Sequence, residues 1–308
     1  MDATTAAPSP QQAGYTSHFL SAPDGLRLHV RSYGHRVASS LPVVCLHGLA
    51  RTSADFHALA TALAGDPAEP RWVLALDYRG RGESGYDRNY NHYSLPVELG
   101  DLIAVLTALE IAPAVFIGTS RGGLIAMMLA AARPTLIAGV VLNDIGPVIE
   151  QKGLMRIKSY VGKLPTPRDY DEGADILRRL FGAQFPKLND AQWLAFARRS
   201  FKEQDGRVVP NYDVNLAKSL ATADFERPLP PLWHQFDALA RVPVMVVRGA
   251  NSDILSPGTV AAMRERRYDI DVAEVSDQGH APFLAEPDLL HRIANFIVFC
   301  EISARQHH

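Results

Sequence analysis

Residues 114–132 read AVFIGTSRGGLIAMMLAAA, a short apolar strand followed by a glycine-flanked serine and an apolar helix. Within this stretch, residues 118–122 (GTSRG) match the pattern G-x-S-x-G at the junction of strand and helix. A serine on such a sharp turn is lifted above the sheet at a helix N-terminus, where the helix dipole favours negative charge. Gly118 and Gly122 supply the small neighbours that the turn requires. The stretch therefore predicts that Ser120 is a nucleophile.

Apolar runs alternate with helical patterns on both sides of this segment. The strand-like runs are His18–Ser21, Leu26–Arg31, Leu41–Leu46, Trp72–Leu76, Ala114–Ile117, Leu136–Leu142, Val244–Arg248 and Val272–Val275. Helical patterns outside the segment include Asp55–Ala64, Val97–Leu109, Gly258–Arg266 and Asp288–Cys300. This alternation predicts an α/β fold with a mostly parallel, eight-stranded twisted sheet and helices on both faces. The first two runs are expected to pair as a hairpin.

The alternation stops between residues 147 and 235, where helical patterns and charges dominate and no strong strand is visible. We expect this segment to be an all-helical cap, inserted into a core domain of residues 16–146 and 236–304. Residues 1–15 are polar and carry no apolar run, which is typical of a flexible arm.

The composition excludes several classes of protein. Lys and Arg number 31 against 33 Asp and Glu, so the chain lacks the basic excess of a nucleic-acid-binding protein. No run reaches the roughly 18 apolar residues of a membrane span, and the start does not resemble a signal peptide. Two cysteines, Cys45 and Cys300, are too few for a disulfide framework and suggest buried thiols of a cytoplasmic protein.

A serine hydroxyl is a weak nucleophile until a nearby base accepts its proton. His280 follows the strand Val272–Val275 in a short loop, and we expect it to be that base. The alternatives fall mostly on helices or in polar loops: His57, His92, His234 and His291.

The acid that orients the histidine has two candidates. Asp253 lies just past the strand Val244–Arg248, and Asp144 lies just past Leu136–Leu142. Both positions are at carboxyl ends of parallel strands, where the chemistry of open α/β sheets gathers. We favour Asp253 as the acid, with Asp144 as the alternative or as a supporting carboxylate.

The sequence His47-Gly48-Leu49 follows the first buried parallel strand. We expect the backbone N–H groups of Leu49 and Arg121 to form an oxyanion hole, because Arg121 follows the predicted nucleophile and Leu49 lies in the loop after this strand. Gly48 would allow close backbone approach, and His47 would bond neighbouring loops rather than take part in the reaction.

Together these features resemble the α/β-hydrolase superfamily, from about Thr16 to Ile302. The matching marks are His47-Gly48, residues 77–84 (DYRGRGES), the Ser120 elbow, Asp253 and Gly279-His280. Residues 77–84 are similar to the D-x-R-G-x-G-x-S loop of members with a cap, where it shapes the floor of the site. The resemblance implies an α/β-hydrolase fold with a serine–histidine–acid triad and a cap over the site.

The identity of the nucleophile excludes some of the reactions known in this superfamily. Related dehalogenases and epoxide hydrolases use an aspartate at the elbow, and a serine cannot form their intermediate. We therefore expect a serine hydrolase that cleaves a small or medium, largely uncharged carboxylic ester through an acyl-enzyme, with neither cofactor nor metal.

Two alternatives stay open. A lactone or C–C bond hydrolase would use the same triad, although C–C hydrolases of this superfamily carry Gly-Pro-Gly where this chain has Leu49-Ala50-Arg51. A hydrolase-like ligand receptor with slow turnover is the other. The cap residues expected to line the pocket are Leu154, Met155, Ile157, Tyr160, Trp193, Phe196 and Tyr212. An exposed face around Trp193 or Phe201 would suit a homodimer.

Overall fold

A computed structural model of the chain describes residues 14–38, 40–221 and 227–306. Most of the predicted arm, residues 1–13, lies outside this description. The strands are β1 (Thr16–Ser21), β2 (Arg27–Tyr33), β3 (Val43–Leu46), β4 (Val73–Asp77), β5 (Ala114–Thr119), β6 (Ile137–Asn143), β7 (Phe201–Gln204), β8 (Arg207–Pro210), β9 (Val244–Gly249) and β10 (Asp271–Val275).

Eight of these strands form one sheet in the order β1-β2-β4-β3-β5-β6-β9-β10. The strands from β4 to β10 in this order pair in parallel. The other two pair antiparallel, β2 with β4 and β1 with β2. The predicted eight-stranded sheet and its amino-terminal hairpin are therefore confirmed, and the serine-bearing strand β5 lies near the centre.

The helices are α1 (His57–Ala64), α2 (Leu95–Ala108), α3 (Arg121–Ala132), α4 (Gln151–Tyr160), α5 (Tyr170–Phe181), α6 (Asp190–Ser200), α7 (Leu216–Ala221), α8 (Trp233–Asp237), α9 (Pro257–Arg266) and α10 (Pro287–Gln306). Helices α1 and α10 cover one face of the sheet, and α2, α3 and α9 cover the other. Strand β3 shows why both faces need cover. Its residues Val43 and Cys45 point into one apolar cluster and Val44 and Leu46 into the other, following the period of two in a strand.

The segment between β6 and β9 holds α4 to α8 and a hairpin of β7 and β8, so the prediction of an all-helical cap is wrong. The hairpin turns at Asp205-Gly206, where both residues have positive φ, 52° and 72°. A two-residue Asp-Gly turn between short strands is a strong hairpin signal, which the prediction of an all-helical segment did not take into account. We call residues 147–235 the cap below.

The cap has an apolar core of its own, which includes Phe181, Trp193 and Phe201. Trp193 and Phe201 are buried there at 2% and 1% exposure, so they do not form the exposed face that would suit a homodimer. The homodimer itself stays a prediction.

Cys45 and Cys300 are buried free thiols, as predicted. The described helices include none with the length and apolar character needed to cross a bilayer.

Candidate active site

Ser120 occupies the turn between β5 and α3 with φ 51° and ψ −113°, a backbone conformation that residues other than glycine rarely adopt. The turn brings its neighbours into close contact. A Cβ atom on Gly118 would come 2.5 Å from the Gly123 nitrogen, and one on Gly122 would come 2.0 Å from the Leu46 carbonyl oxygen. The flanking glycines are therefore required by space, as the sequence motif predicted.

His280 connects the serine to a carboxylate. Its Nε2 lies 2.8 Å from Ser120 Oγ, and its Nδ1 lies 2.7 Å from Asp144 Oδ2. Asp144 is fully buried and His280 nearly so. Two further hydrogen bonds hold the carboxylate, from the Gly249 N–H at 2.8 Å and from the Ser252 hydroxyl at 2.5 Å. The three side chains thus form a continuous hydrogen-bonded chain.

The preference for Asp253 as the acid is a prediction that the structure corrects. Asp253 forms a bidentate pair with Arg156 of α4, at 2.6 Å and 2.8 Å, while Asp144 contacts His280. Although burial opposes it, the hydrogen bond and charge of Arg156 lower the pKa of Asp253. Asp253 is therefore held as a carboxylate facing the cap.

The sheet topology explains why Asp144, and not Asp253, reaches His280. Strand β6, which Asp144 follows directly, is the neighbour of the serine-bearing strand β5. Asp144 has φ 55°, and its N–H bonds to the Val247 carbonyl. Asp253 lies four residues beyond the end of β9, one strand farther from the serine.

The residues predicted to form the oxyanion hole border Ser120. Arg121 is the first residue of α3, so its N–H belongs to the first turn, whose donors have no partner within the helix. Leu49 lines the cavity beside Ser120. Between them, a Cβ on Gly48 would come 3.8 Å from Ser120 Cβ. The hole itself stays a prediction.

His47 bonds loops together, as expected. Its Nδ1–H donates to the Gly48 carbonyl at 2.7 Å, and its Nε2 accepts from the Tyr78 N–H at 3.2 Å. Burial lowers the pKa of His47 to about 4, so the ring is neutral at physiological pH. A neutral ring can make both bonds at once and thereby fixes the loop that carries Leu49.

A buried network that the sequence did not reveal joins the two oxyanion candidates. Arg81 donates from Nε to the Leu49 carbonyl at 2.9 Å and from Nη1 to Glu98 at 2.8 Å. The other Glu98 oxygen accepts from Arg121 Nε at 2.6 Å. Arg81 belongs to the loop of residues 77–84, which thus supports the floor of the site, as the resemblance implied.

A cavity of about 110 Å³ lies over the serine, and most of its walls are apolar. It is small beside the roughly 300–1,000 Å³ of typical ligand pockets. Four of the predicted cap residues line it: Ile157, Tyr160, Phe196 and Tyr212. The others lie elsewhere, because Met155 is exposed, Trp193 is in the cap core and Leu154 packs on the main core.

Cation ligands are grouped at one place among the described residues, where Asp24, Asp87 and His92 come together. Arg79 donates to both carboxylates, at 2.9 Å and 2.6 Å, and supplies the positive charge that they need. The group is therefore a surface ion-pair cluster and not a candidate metal centre.

Comparison with known proteins identifies the family of the chain. A sequence model of the alpha/beta hydrolase family matches residues 43–293. The chain is 33% identical to the 3-hydroxybutyrate-oligomer hydrolase of Cupriavidus necator, over 80% of this chain and 84% of the relative. It is 26% identical to the 2-(acetamidomethylene)succinate hydrolase of Mesorhizobium japonicum, over 92% and 96%.

A crystal structure of an alpha/beta hydrolase from Novosphingobium aromaticivorans superposes with a TM-score of 0.86 at 39% identity, covering 92% of this chain and 98% of the other. On the family match and these similarities, the chain belongs to the alpha/beta hydrolase family.

Proposed function

We propose that the protein is a serine hydrolase that cleaves carboxylic esters of small molecules through an acyl-enzyme on Ser120. The observation that carries this proposal is the position of His280, whose ring lies 2.8 Å from Ser120 Oγ and 2.7 Å from Asp144. A hydroxyl, an imidazole and a carboxylate in this order are the parts needed to activate a serine.

In the first half of the reaction, His280 Nε2 accepts the hydroxyl proton while Ser120 Oγ bonds to the ester carbonyl carbon. The imidazolium then gives that proton to the leaving alkoxide as the carbon–oxygen bond of the ester breaks. The products of this half are the alcohol and an acyl group on Ser120.

Asp144 keeps the Nδ1 proton of His280 in place and stabilises the imidazolium that forms. The N–H groups of Leu49 and Arg121 donate to the negative oxygen of the tetrahedral intermediate. The network of Arg81, Glu98 and Arg121 supports this role because it holds both donors from behind.

In the second half, a water molecule replaces the alcohol. His280 accepts its proton as the water oxygen attacks the acyl carbon, and then returns a proton to Ser120 Oγ when the acid leaves. The apolar cavity walls keep other water away from the acyl-enzyme.

The names of the relatives support an ester or a similar acyl bond. The Cupriavidus relative is a hydrolase of 3-hydroxybutyrate oligomers, and hydroxy acids join through ester bonds. We extend this to the present chain as a small ester whose acyl part fits a cavity of about 110 Å³.

Replacing the nucleophile tests the proposal. Ser120→Ala is expected to lower kcat/KM for 4-nitrophenyl acetate by at least about a thousandfold, while the exposed Ser276→Ala keeps the wild-type value. A serine-directed phosphonate should add its mass at Ser120 alone. Near-wild-type turnover by Ser120→Ala, or labelling at another residue, would refute the acyl-enzyme.

A further inference from the structure

A cluster of four polar side chains lies where the cap meets the core, at one side of the cavity. We call it the arginine cluster: Arg51, Asp55, Arg199 and Ser200. Arg51 and Asp55 come from the core, and Arg199 and Ser200 end the cap helix α6. Arg51, Asp55 and Ser200 line the cavity directly.

The hydrogen bonds of Arg51 leave part of its guanidinium available. Its Nε and Nη2 donate to the two oxygens of Asp55, and its Nη1 donates to Ser200 Oγ at 2.6 Å. A guanidinium has five N–H donors, so two are left after these three bonds among the described residues. The Ser200 hydroxyl is itself engaged, because it donates to the Phe196 carbonyl at 2.8 Å.

The cluster carries a net positive charge. Asp55 is the carboxylate for both arginines, and its contact with Arg199 is long, at 3.5 Å. Arg199 lies against apolar walls of the cavity, with its guanidinium carbon 5.3 Å from the ring centre of Phe283 and 5.8 Å from that of Phe196. Burial lowers the pKa of Arg199. The charge of Asp55 raises this pKa, and the charge of Arg51 lowers it further. A second anion here would therefore stabilise the guanidinium.

The cluster is also close to the nucleophile. A Cβ on Gly48 would come 3.3 Å from Arg51 Cγ and 3.8 Å from Ser120 Cβ, so these two side chains flank the same glycine. A molecule whose ester carbonyl sits at Ser120 therefore needs only a short chain to bring a second group to Arg51. Otherwise the cavity walls are mostly apolar.

We propose that the arginine cluster binds a carboxylate of the substrate, so that the preferred ester is a small monoanionic acid ester rather than an uncharged one. This inference rests on the proposed ester hydrolysis and replaces the expectation of a largely uncharged substrate. Arg51, which lines the cavity, offers the two N–H donors that remain, and Arg199 supplies the unmatched charge. The Arg156–Asp253 pair is matched within itself and takes no part.

Matched acids and amides test the charge requirement without changing shape. One pair is 3-acetoxybutanoate and 3-acetoxybutanamide, followed by acetate release, with the charge on the alcohol side. The other is monomethyl succinate and methyl succinamate, followed by methanol release, with the charge on the acyl side. We expect kcat/KM to favour the acid by at least about tenfold in one pair, the size expected of charge-assisted hydrogen bonds.

Two variants assign that preference to the cluster. Arg199→Gln and Arg51→Gln should each lower the acid-to-amide ratio by about fivefold or more, and Arg199→Gln leaves the Arg51–Asp55 pair in place. Arg168→Gln, an exposed arginine of the cap, is the matched control and should keep the wild-type ratio. Thermal melting identifies any variant that fails to fold. Equal use of acid and amide in both pairs, or ratios unmoved in both folded cluster variants, would overturn the proposal.

Binding to Ser120→Ala separates this proposal from the proposed reaction. Calorimetry should show butanoate binding at least about tenfold more tightly than butanamide, with the difference reduced by Arg199→Gln. Selective binding without hydrolysis of any ester would support the carboxylate site and refute the esterase. Equal binding of the two compounds would refute the carboxylate site even where Ser120-dependent hydrolysis holds.

Discussion

Replacing Asp144 by asparagine changes one atom of the candidate triad and tests which carboxylate serves His280. Three groups donate to the carboxylate: the Gly249 N–H, the Ser252 hydroxyl and His280 Nδ1–H. The Gly249 N–H bonds to Oδ1, and His280 and Ser252 both bond to Oδ2.

In Asp144→Asn, the Gly249 N–H fixes the amide oxygen at the Oδ1 position, because an amide nitrogen there would place two donors face to face. The amide nitrogen then occupies the Oδ2 position and faces His280. It can only donate, so the imidazole must turn its unprotonated nitrogen toward it and carry its proton on Nε2. In that tautomer the ring cannot accept the proton of Ser120.

The expected loss in kcat is about 10³- to 10⁴-fold, comparable to the same change in a serine protease triad, or about 4 to 5.5 kcal/mol of transition-state stabilisation. Steady-state kinetics with 4-nitrophenyl acetate would measure it. KM should change little, because Asp144 is fully buried and does not line the cavity.

Asp253→Asn is the matched control at the other candidate acid. It removes the charge from the pair with Arg156, whose side chains are only 13% and 20% exposed. We expect it to lower the free energy of unfolding by about 1–3 kcal/mol and kcat by less than about tenfold. A larger kcat loss in Asp253→Asn than in Asp144→Asn, with both variants folded, would refute the assignment of the acid.

Three further predictions concern the support of the site. Glu98→Gln should lower kcat by about ten- to a hundredfold with little change in KM, because both candidate oxyanion donors lose their shared anchor. Steady-state kinetics with a melting control would show it. The pKa of His47 is about 4 in the fold and about 6.5 in the unfolded chain, so stability should fall as pH drops from 6.5 toward 4. By pH 5 this loss is about 2 kcal/mol relative to His47→Gln, measurable by denaturant unfolding. Gly122→Ala should abolish activity and destabilise the fold because its Cβ would meet the Leu46 backbone, whereas Gly100→Ala, with open space around it, should melt no lower than wild type.

The features that could be predicted from sequence are those whose signal is local. Ser120 lies within five residues that carry the strand end, the glycines and the helix start. His280 was found for a similar reason, since it follows a strand in a short loop. The alternation of strands and helices predicted the parallel core of the sheet, because a strand that is apolar throughout must be buried on both faces.

The features that were missed depend on contacts between distant parts of the chain. Arg51 and Ser200 are 149 residues apart, and Arg81 and Glu98 meet across a loop and a helix. No periodicity marks such pairs. The β7–β8 hairpin is different, because its Asp205-Gly206 turn is a local signal that the surrounding helical patterns outweighed.

Asp144 contacts His280 in place of the predicted Asp253 because of how the buried charges are paired. Two carboxylates lie past neighbouring strands of one sheet, and each needs a partner because an unpaired buried charge is strongly unfavourable. His280 can serve only one of them. The partner of the other is Arg156, which the inserted cap brings to the sheet edge, and the sequence gives no indication of where that cap helix lies. Once Arg156 is paired with Asp253, His280 is left to the carboxylate nearer the serine strand. Which carboxylate contacts His280 therefore depends on the cap as well as on the sheet.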